Sequence, residues 1–437
     1  MIEKYRTHYS KEIGKKEYNS IVSVAGWIED IRNLGSIAFV ILRDKQGTLQ
    51  VTCLKKDDKK LFEKLVSLPR ESVISVKGIC KENEKVRNGY EILPKEVEIL
   101  SISDKPLPMG VVDKTGIEFE TRFDNRFIDL RKIEIQAIFK IRDKVIDSAK
   151  DFLRKNDFIE VHTPKIIASA SEGGTDLFKV EYFEKNAFLA QSPQLYKQML
   201  MATGLDRVFE IAWYFRAEKH NTTRHLNEST AVDIEMAFIN SEEEVMKILE
   251  NMTLEMWNAA KTCKEELEIL DIDLEKINVP FKRVTYDEVI ELLNERDHKI
   301  EWGADFGSKE ESIIGKIMEE KNEVFYFITK YPLEAKPFYT MPYEDMKYSR
   351  SFDLGCKGLE IASGSQRIHD KNLLIERIEK HGLNPKDFES YLKAFRYGMP
   401  PHGGFGFGIE RFLMQLLKLK NIRECILFPR DRTRLIP

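Results

Sequence analysis

Short apolar runs alternate with turns along the first hundred residues, which is the pattern of a small β-barrel. Five runs have the period and composition of strands, and a helical pattern at 59–68 lies between the third and the fourth. The five runs span residues 21–27, 36–42, 48–54, 73–79 and 90–100. Five strands with a helix at this place predict the Greek-key barrel known as the OB-fold, which commonly binds single-stranded nucleic acid on one face.

A change of composition separates this barrel from the rest of the chain. Pro106, Pro108 and Gly110 are followed by a charged run at 118–131. Prolines and glycine followed by charge are typical of a linker and a docking segment between two domains. We therefore expect an N-terminal OB-fold domain at 1–105, a linker or hinge at 106–131 and a second domain at 132–437.

The second domain begins with a long helical pattern. Apolar residues from Ile138 to Phe152 recur every three or four positions, which predicts an amphipathic helix that ends near Asn156. Further helices are predicted at 242–263 and 286–295, and strands at 158–162 and 324–329. Between 241 and 330 the sequence suggests no residue with a chemical role.

A strand, a polar loop and a second strand are predicted at 210–238. The loop at 219–228 is almost entirely polar and basic, and Arg216 stands at the end of the first strand. Cationic side chains on a hairpin that reaches into a site suit a polyphosphate. Taken alone, however, a run of charge is more often a solvated surface.

Close-set glycines at 403–408 are the first of two segments that favour the polyphosphate interpretation. Their spacing is not the G-x-G-x-x-G of a dinucleotide-binding fold, and a helical pattern follows at 412–419. Such glycines let the backbone approach a bulky ligand. Arg411, in the first turn of that helix, can lie over an aromatic base or reach a terminal phosphate.

The segment 351–367 is the second. It predicts a strand pair that brings Asp353, Glu360 and Ser363 together with Arg367. Hard oxygen ligands suit magnesium, and a guanidinium group suits a bound carboxylate.

Composition adds three constraints. The chain has 437 residues, of which 42% are hydrophobic and 32% charged, so two domains can each bury a core. Its formal net charge is −4, so an RNA partner would be held by local basic patches at 55–56, 219–224 and 430–434. Five cysteines, none in a C-x-x-C pair, indicate a reducing compartment and argue against structural zinc. Without a signal-peptide pattern or a membrane-spanning apolar run, we expect a cytoplasmic protein.

Several motifs together resemble those of the class II aminoacyl-tRNA synthetases. Phe215-Arg216-Ala217-Glu218 is similar to the second motif of that class and Gly406-Phe407-Gly408-Ile409-Glu410-Arg411 to the third, while the long helix with Phe158-Ile159-Glu160-Val161-His162-Thr163-Pro164 resembles the first. Within the class, the chain resembles the aspartyl-tRNA synthetases of the archaeal and eukaryal type. That likeness is carried by Ser171-Glu172-Gly173-Gly174-Thr175, Gln191-Ser192-Pro193-Gln194-Leu195-Tyr196-Lys197 and Phe428-Pro429-Arg430-Asp431-Arg432.

The resemblance implies an α+β architecture, in which the barrel precedes a catalytic domain built on an antiparallel sheet flanked by helices. It implies that L-aspartate is activated with ATP and Mg²⁺ to aspartyl-adenylate and transferred to the 3′ end of tRNA(Asp). It also implies a homodimer whose two-fold interface includes the long helix. The chemistry is an in-line attack of a carboxylate on the α-phosphorus of ATP, so the protein has to position two anions and needs no side-chain nucleophile.

The same resemblance assigns the ATP site. Arg216 would bridge the α-phosphate and the attacking carboxylate, and Arg216, Arg411 and Glu360 form the catalytic set. The expected ATP-binding residues are Arg216, Ala217, Glu218, Arg224, His225, Leu226, Glu360, Gly408, Ile409, Glu410 and Arg411. Many relatives carry a phenylalanine four residues after His225 to stack on adenine, whereas this chain has Ser229. The assignments on the adenine side therefore rest on His225 as the stacking surface.

The amino-acid and metal sites follow in the same way. Arg367 and Lys197 would bind the side-chain carboxylate of the substrate, with Asp233 pairing with both and orienting them. The expected aspartate-binding residues are Glu172, Ser192, Gln194, Leu195, Tyr196, Lys197, Arg216, Asp233, Ser363 and Arg367. The expected magnesium ligands are Asp353, Glu360 and Ser363.

For the barrel, the resemblance implies an anticodon-binding face. Phe39 would stack on the middle base and Gln50 would read its edge, with Arg32 and Arg43 nearby for phosphate. Phe39 is otherwise interpreted as a core phenylalanine. Glu29 and Arg87 would flank the third anticodon base, which is cytosine in tRNA(Asp) and uracil in tRNA(Asn). A carboxylate accepts from the cytosine amino group and faces the uracil oxygen repulsively, so Glu29 favours an enzyme strict for tRNA(Asp). A relaxed enzyme would also charge tRNA(Asn) and would need a partner amidotransferase.

Three alternatives remain at this stage. An asparaginyl-tRNA synthetase, or an asparagine synthetase descended from this fold, would share the motifs. The family's asparagine enzymes tend to carry glutamate at the position of Asp233, and the asparagine synthetases lack the barrel. A nucleic-acid-binding adaptor with a degenerate catalytic domain is the third, and the full set of charged residues argues against it, since unpaired charges are costly to keep.

Overall fold

The computed structural model describes residues 4–86, 88–112, 116–168, 177–219 and 222–436. The chain divides into two compact units, Met1–Ile128 and Asp129–Pro437. Among the described residues, no helix has the length and apolar composition needed to cross a membrane.

The first unit is built on a closed five-stranded barrel with the strand order β1-β2-β3-β5-β4. Its elements are β1 (Ile21–Asn33), β2 (Ile37–Arg43), β3 (Thr48–Leu54), α1 (Lys59–Val66), β4 (Val73–Glu82) and β5 (Tyr90–Ser101). Alternate residues of each strand, such as Val22 and Val24 of β1, point into one apolar core together with Phe62 and Leu65 of α1. The five predicted strands and the helix between the third and the fourth are confirmed.

Strand β1 closes the barrel because it is long enough to pair on both sides. Its first half, from Ile21 to Trp27, pairs with β4, and its second half, from Trp27 to Asn33, pairs with β2. Gly26 lies at the changeover, where an added Cβ would stand 2.1 Å from the carbonyl oxygen of Arg43. Only glycine permits this approach of β1 to the end of β2.

The second unit is built on an eight-stranded sheet with the order β12-β13-β14-β15-β16-β11-β10-β6, and β7, β9 and β8 form a small separate sheet. Neighbours in the large sheet run antiparallel, except for the pairs β12–β13 and β10–β6. The strands are β6 (Ile159–Glu160), β7 (Ile166–Ile167), β8 (Lys179–Tyr182), β9 (Lys185–Leu189), β10 (Arg207–Phe215), β11 (Glu228–Ala237), β12 (Lys282–Thr285), β13 (Phe325–Thr329), β14 (Ser351–Cys356), β15 (Leu359–Arg367) and β16 (His402–Gly408).

The remaining helices follow the barrel in the chain, and those of the second unit pack against the large sheet or against one another. They are α2 (Phe119–Asp124), α3 (Arg126–Asp129), α4 (Ile133–Lys155), α5 (Gln194–Leu200), α6 (Glu242–Thr262), α7 (Lys264–Ile269), α8 (Tyr286–Asn294), α9 (Ser308–Glu320), α10 (Lys371–Lys380), α11 (Glu389–Arg396) and α12 (Ile409–Leu416). The predicted helices near 138–156, 242–263 and 286–295 correspond to α4, α6 and α8. The strand predicted at 158–162 is shorter, since β6 has two residues.

The two faces of the central strands differ in chemistry. On β11, Val232 and Ile234 join the main core with apolar side chains of α4, α6 and α12. Asp233 and Glu235, which alternate with them, face the opposite way because side chains of a strand have a period of two. One face of the sheet therefore packs on helices and the other carries polar groups.

The glycine-rich segment is a strand, which its sequence did not suggest. Residues 402–408 form β16 in the middle of the sheet, between β15 and β11. Phe405 and Phe407 enter the main core, and the glycines that alternate with them lie on the polar face. At Gly404 an added Cβ would stand 2.2 Å from Glu235 Oε2, so the glycines make room for side chains of neighbouring strands.

Candidate active site

A cavity of about 540 Å³ opens on the polar face of the large sheet. Residues of β10, β11, β14, β15, β16 and the start of α12 line it, so segments between Ser192 and Ile422 meet there. It gathers the following predicted residues: Ser192, Gln194, Arg216, Glu218, Arg224, His225, Leu226, Asp233, Asp353, Glu360, Ser363, Arg367, Gly408, Glu410 and Arg411. Ser229, where many relatives carry an aromatic residue, lines it as well.

The structure describes five other predicted residues without bringing them to the wall of this cavity. They are Ala217, Leu195, Tyr196, Lys197 and Ile409. Glu172, with the segment 171–175 that contributed to the resemblance, lies outside the described residues, and so does Arg87 of the barrel.

Lys197 lies beneath the cavity floor, where its ammonium group is fully engaged by the protein. It is 3% exposed, and Nζ donates to Asp233 Oδ1 at 2.9 Å. It also donates to the main-chain oxygens of Ile234 at 3.2 Å and Phe405 at 3.1 Å. These bonds use the three hydrogens of the ammonium group. To bind a substrate carboxylate, Lys197 would have to exchange one of these acceptors.

Arg367 is held by Glu235, a residue that the sequence did not single out. Its Nε donates to Glu235 Oε1 at 3.0 Å and its Nη2 to the Gly404 carbonyl oxygen at 2.9 Å, while Nη1 donates to Ser365 Oγ at 2.7 Å. The expectation that Asp233 pairs with both cations therefore needs correction, because Asp233 pairs with Lys197 and Glu235 with Arg367. Glu235 also lies 3.5 Å from Lys197 Nζ. Its position two residues after Asp233 on one strand was the available signal.

These four residues form a buried cluster of two cations and two carboxylates. Burial raises the pKa of Glu235, but the charges of Arg367 and Lys197 outweigh it and leave that pKa below its ordinary value. His402 lies against the same group, and its burial lowers its pKa to about 4, although the charge of Glu235 opposes this. Glu235 and Arg367 are ionised at neutral pH, and the histidine beside them is neutral.

Tyr214 connects this cluster to the predicted ATP side. Its hydroxyl donates to Asp233 Oδ2 at 2.6 Å, and the Arg216 guanidinium lies over its ring at 5.5 Å from the centroid. Tyr214 lines the cavity and precedes Arg216 by two residues. At Gly406 an added Cβ would stand 2.6 Å from the Tyr214 hydroxyl, so the glycine of β16 leaves space for it.

Three arginines surround the other side of the cavity, each close to a carboxylate. Arg216 Nη1 lies 3.7 Å from Glu218 Oε1, and its side chain is 42% exposed. Arg224 Nη1 lies 3.4 Å from Glu311 Oε2. Arg411 Nη1 donates to the Glu360 carbonyl oxygen at 3.0 Å. His225, on the hairpin loop, shares a hydrogen bond of 2.6 Å between Nδ1 and Thr222 Oγ1.

Carboxylates crowd together near these arginines, on the interior strands β14 and β15 and on segments that pack beside them. Burial and the charge of Asp353 raise the pKa of Glu360 to about 7, although Arg411 and Lys336 oppose the shift. Burial likewise raises the pKa of Asp305 and the pKa of Glu311, the latter against the charge of Arg411. Burial and neighbouring negative charges make the ionised form of these carboxylates unfavourable, and a bound cation would stabilise that form.

The expectation that the segment 241–330 has no chemical role is wrong for two of these residues. Asp305 lines the cavity, and Glu311 pairs with Arg224. Lys336 was also missed, although its Nζ lies 2.7 Å from Asp353 Oδ2. The chain folds these residues next to 353–360 through long-range contacts that sequence spacing does not reveal.

Glu410 reaches the cavity wall, but its carboxylate is used by the framework. It accepts from Arg142 Nη2 of α4 at 2.9 Å, from the Thr230 main-chain nitrogen at 3.0 Å and from the Thr230 hydroxyl. The residue thereby connects α4, β11 and α12, and its side chain is 1% exposed. This engagement differs from the expected direct role toward ATP.

The barrel carries a separate set of predicted residues on its outer face. Phe39 alternates with the buried Ala38 and Val40 and is half-buried, so it is not a core phenylalanine. Gln50 lies on the adjacent strand, and its Nε2 donates to Glu91 Oε2 at 2.8 Å. Arg32 is opposite Phe39 in the register of β1 and β2.

Glu29 and Arg43 form part of an ion-pair chain on the same barrel. Arg43 makes two bonds to Glu71, at 2.7 and 3.0 Å, and lies 3.3 Å from Glu29. Its side chain is 10% exposed. Arg43 is thus paired with two carboxylates, and its expected role near phosphate stays a prediction. The same pairing orients Glu29.

Two family models match the chain, and together they cover both units. Residues 118–432 match the tRNA synthetases of class II (D, K and N), and residues 22–100 match the OB-fold nucleic acid binding domain.

Similar proteins cover the chain from end to end. The aspartate–tRNA(Asp) ligase of Thermococcus kodakarensis is 52% identical over 99% of this chain and 100% of its own length. The aspartate–tRNA(Asp/Asn) ligase of Methanosarcina barkeri is 50% identical over the whole of both chains. The crystal structure of asparaginyl-tRNA synthetase from Pyrococcus horikoshii, complexed with asparaginyl-adenylate, superposes with a TM-score of 0.93 at 34% identity and covers 100% of both chains.

The neutral His402 beside the charge cluster predicts a pH-dependent stability. A histidine in the unfolded chain has a pKa near 6.5, whereas burial lowers the pKa of His402 to about 4 in the folded state. Between these pH values the unfolded chain binds a proton that the folded chain excludes. The contribution of His402 to the free energy of unfolding is therefore fully present above pH 6.5 and is lost as the pH falls toward 4. The shift corresponds to roughly 3 kcal/mol at the lower end of the window. The free energy of unfolding in urea should be measured at pH 7 and at pH 4.5. It should decrease less between these two pH values in His402→Gln than in the wild type.

His8→Gln, which removes a histidine from the other unit, is the matched control. It should lose as much stability between pH 7 and pH 4.5 as the wild type. Equal losses of stability in the wild type and in His402→Gln would contradict the assignment of this titration to His402.

Proposed function

The chain belongs to the class II tRNA synthetases of the D, K and N family, and from this membership we propose that it is an aspartate–tRNA ligase. It activates L-aspartate with ATP to aspartyl-adenylate and transfers the aspartyl group to the 3′ end of tRNA(Asp). The observation that carries the proposal is the position of Arg367. This buried arginine is fixed by Glu235 at the floor of a cavity whose opposite wall carries Arg216, Arg224 and Arg411.

The two sides of the cavity suit the two anionic substrates. Arg216, 42% exposed and supported by the Tyr214 ring, is available to the α-phosphate and to the attacking carboxylate. Arg411 at the start of α12 and Arg224 on the hairpin loop take the remaining phosphates, and Glu218 accepts from the adenine amino group. Cations fixed before the reaction stabilise charge that develops in the transition state without having to reorganise. The substrate carboxylate is itself the nucleophile.

The amino-acid side uses the buried cluster. Arg367 Nη1 bonds to Ser365 in the described contacts and carries a second hydrogen for the side-chain carboxylate of aspartate. Lys197 is the second cation and reaches this carboxylate by exchanging one main-chain acceptor. Ser192, Gln194 and, outside the described residues, Glu172 take the α-ammonium group.

Magnesium fits the acidic side of the cavity. Asp353 Oδ1 is buried and has no hydrogen-bond partner among the described residues, and the raised pKa of Glu360 arises from burial and from the charge of Asp353. Asp353, Glu360 and Ser363 would hold the ion, although no group of three or more His, Cys, Asp or Glu side chains in the described part of the chain is arranged as a complete ligand set. The remaining ligands would come from phosphate oxygens and water, as is usual for this ion. When bound, magnesium offsets the repulsion between the two anionic substrates.

Asparagine is the second candidate substrate because an asparaginyl-tRNA synthetase superposes so closely on the chain. The charges favour aspartate. Asp233 is paired with Lys197 and bonded by Tyr214, and Glu235 with Arg367, so these two carboxylates are occupied and the substrate meets cationic donors. An asparagine amide would offer these cationic donors a neutral oxygen in place of a carboxylate, and so would form a weaker hydrogen bond with them.

In this proposal, the barrel makes the contacts with the anticodon of tRNA. We assign the anticodon to the outer face that presents Phe39, Gln50 and Arg32, with Arg87 outside the described residues. A half-buried aromatic side chain on the outer face of a strand, next to polar groups, suits stacking of an unpaired base. Glu29, oriented by Arg43 at 3.3 Å, would meet the third anticodon base.

Assembly and location complete the proposal. We assign a homodimer in which α4 and β6 contribute to the two-fold interface. Ile133 at the start of α4 and Ile159 of β6 are each 47% exposed, so these elements carry apolar surface that a partner can cover. The protein acts in the cytoplasm, where its five free cysteines would stay reduced. The domain limits remain as proposed, with the barrel at 1–105, the linker at 106–131 and the catalytic domain at 132–437.

The first test is ATP–pyrophosphate exchange in the absence of tRNA. Exchange should require L-aspartate and magnesium. Arg216→Ala should lower its rate on the order of 10²-fold or more, because one preorganised charge at a transition state is worth about 3 kcal/mol. Arg296→Ala is the matched control, because Arg296 is 45% exposed and pairs with Glu320 away from the cavity. Exchange supported by asparagine and not by aspartate would refute the proposed substrate.

The second test separates the barrel from the catalytic cavity. Phe39→Ala should raise the KM for tRNA in aspartylation, since loss of a base-stacking contact costs about 1–3 kcal/mol. ATP–pyrophosphate exchange should be unchanged, because the cavity lies in the other unit. Tyr18→Ala removes an exposed aromatic residue elsewhere in the same unit and serves as the control. An unchanged KM for tRNA in the Phe39 variant would remove the anticodon from this face.

The third test concerns the choice of tRNA. Curated relatives of both kinds, named for tRNA(Asp) and for tRNA(Asp/Asn), are about equally similar to this chain. The position of Glu29 favours the strict form, so transcripts of tRNA(Asp) should be aspartylated and those of tRNA(Asn) should not. Glu29→Gln should narrow that difference, because an amide can donate to the uracil oxygen. Comparable rates for both transcripts with the wild type would contradict strictness and would call for a partner amidotransferase.

A further inference from the structure

Tyr214 is the one cavity residue that touches both the amino-acid cluster and the ATP-side arginine in the described contacts, and neither the family motifs nor the comparisons assign it a role. We propose that Tyr214 is a specificity-determining residue that makes the cavity reject asparagine by occupying the free oxygen of Asp233. This inference rests on the proposed function, since it concerns which amino acid that site activates.

Each carboxylate oxygen of Asp233 already accepts a hydrogen bond from the protein. Lys197 Nζ donates to Oδ1 at 2.9 Å and the Tyr214 hydroxyl donates to Oδ2 at 2.6 Å. Asp233 is 2% exposed, so water cannot supply or replace either donor freely. The two bonds come from different elements, the lysine from α5 and the tyrosine from the strand next to Asp233, and they fix the plane of the carboxylate.

The chemical difference between the two candidate substrates falls on this oxygen. Aspartate brings a carboxylate that accepts hydrogen bonds, whereas asparagine brings an amide whose nitrogen donates two. Without the tyrosine hydroxyl, Oδ2 would accept a hydrogen bond from the amide nitrogen and would repel the carboxylate. With the hydroxyl in place, that oxygen already accepts one hydrogen bond and is a weaker acceptor, so the amide gains less from it and the carboxylate meets a weaker repulsion. The same bond thus acts on both substrates in opposite directions.

The surroundings of the hydroxyl show that its place is built into the fold. Gly406 lies opposite Asp233 in the register of β11 and β16, and an added Cβ there would stand 2.6 Å from the tyrosine hydroxyl. The Arg216 guanidinium lies over the ring of the same tyrosine. Removal of the hydroxyl alone should therefore leave the ring, and with it the support for Arg216, in place.

The decisive variant is Tyr214→Phe, measured by ATP–pyrophosphate exchange with aspartate and with asparagine. We expect the ratio of kcat/KM for aspartate to kcat/KM for asparagine to fall about tenfold or more, through a higher KM for aspartate together with new exchange with asparagine. The KM for ATP should stay within about twofold, because the ring under Arg216 is retained.

Tyr348→Phe is the matched control, since it also removes a tyrosine hydroxyl that donates to an aspartate, Asp287 Oδ2, outside the cavity wall. Its ratio should equal that of the wild type, and the melting temperatures of both variants show whether they are folded. Gly406→Ala offers a second route, because its methyl group displaces the hydroxyl without removing it and should lower the ratio as well.

The outcomes separate this inference from the function on which it rests. A wild type that shows no aspartate-dependent exchange would refute the aspartate–tRNA ligase itself. A wild type that activates aspartate, together with a folded Tyr214→Phe whose ratio is unchanged, would refute the role of Tyr214 alone. Equal loss of exchange with both amino acids and a raised KM for ATP would also overturn it, because that result would make Tyr214 a support for Arg216.

Discussion

The requirement that buried charges be paired governs the centre of this molecule. Lys197, Asp233, Glu235 and Arg367 come from α5, β11 and β15, and each would be strongly destabilising if its partner were removed. Their pairing requires β16 to pass close by, because its main-chain oxygens accept from both cations and its glycines leave room for the side chains. The cluster therefore fixes the position of three elements relative to one another, and the cavity above it inherits that precision.

The fold follows from the sequence wherever a local period is strong. The barrel strands, α4, α6 and α8 were predicted from spacing alone, because their apolar residues repeat with the period of the element. The strand β16 was not, since glycines remove half of the alternating pattern and are more often found in loops. Its Phe405 and Phe407 do alternate correctly, but two residues are too few to identify a strand until the neighbouring strands are known.

The site divides in the same way between motif residues and their partners. Residues inside short motifs, such as Arg216, Arg367 and Arg411, could be named from the chain and do meet in one cavity. Their partners could not. Glu311 and Lys336 belong to stretches without any motif, and their contacts with Arg224 and Asp353 depend on how the chain returns to the sheet. Electrostatic partners are chosen by tertiary proximity, which a single sequence does not contain.

Burial of the cluster also separates the responses of the two halves of the protein to ionic strength. Dissolved ions screen charges that face water, with a Debye length of about 8 Å at physiological salt, and act much less on pairs such as Arg367 and Glu235 that water does not reach. Contacts between barrel side chains and tRNA phosphates release counterions and weaken steeply as salt rises. On the proposed assignments, concentrated salt should therefore weaken the binding of tRNA to the barrel far more than it weakens the enclosed ion pairs beneath the amino-acid site.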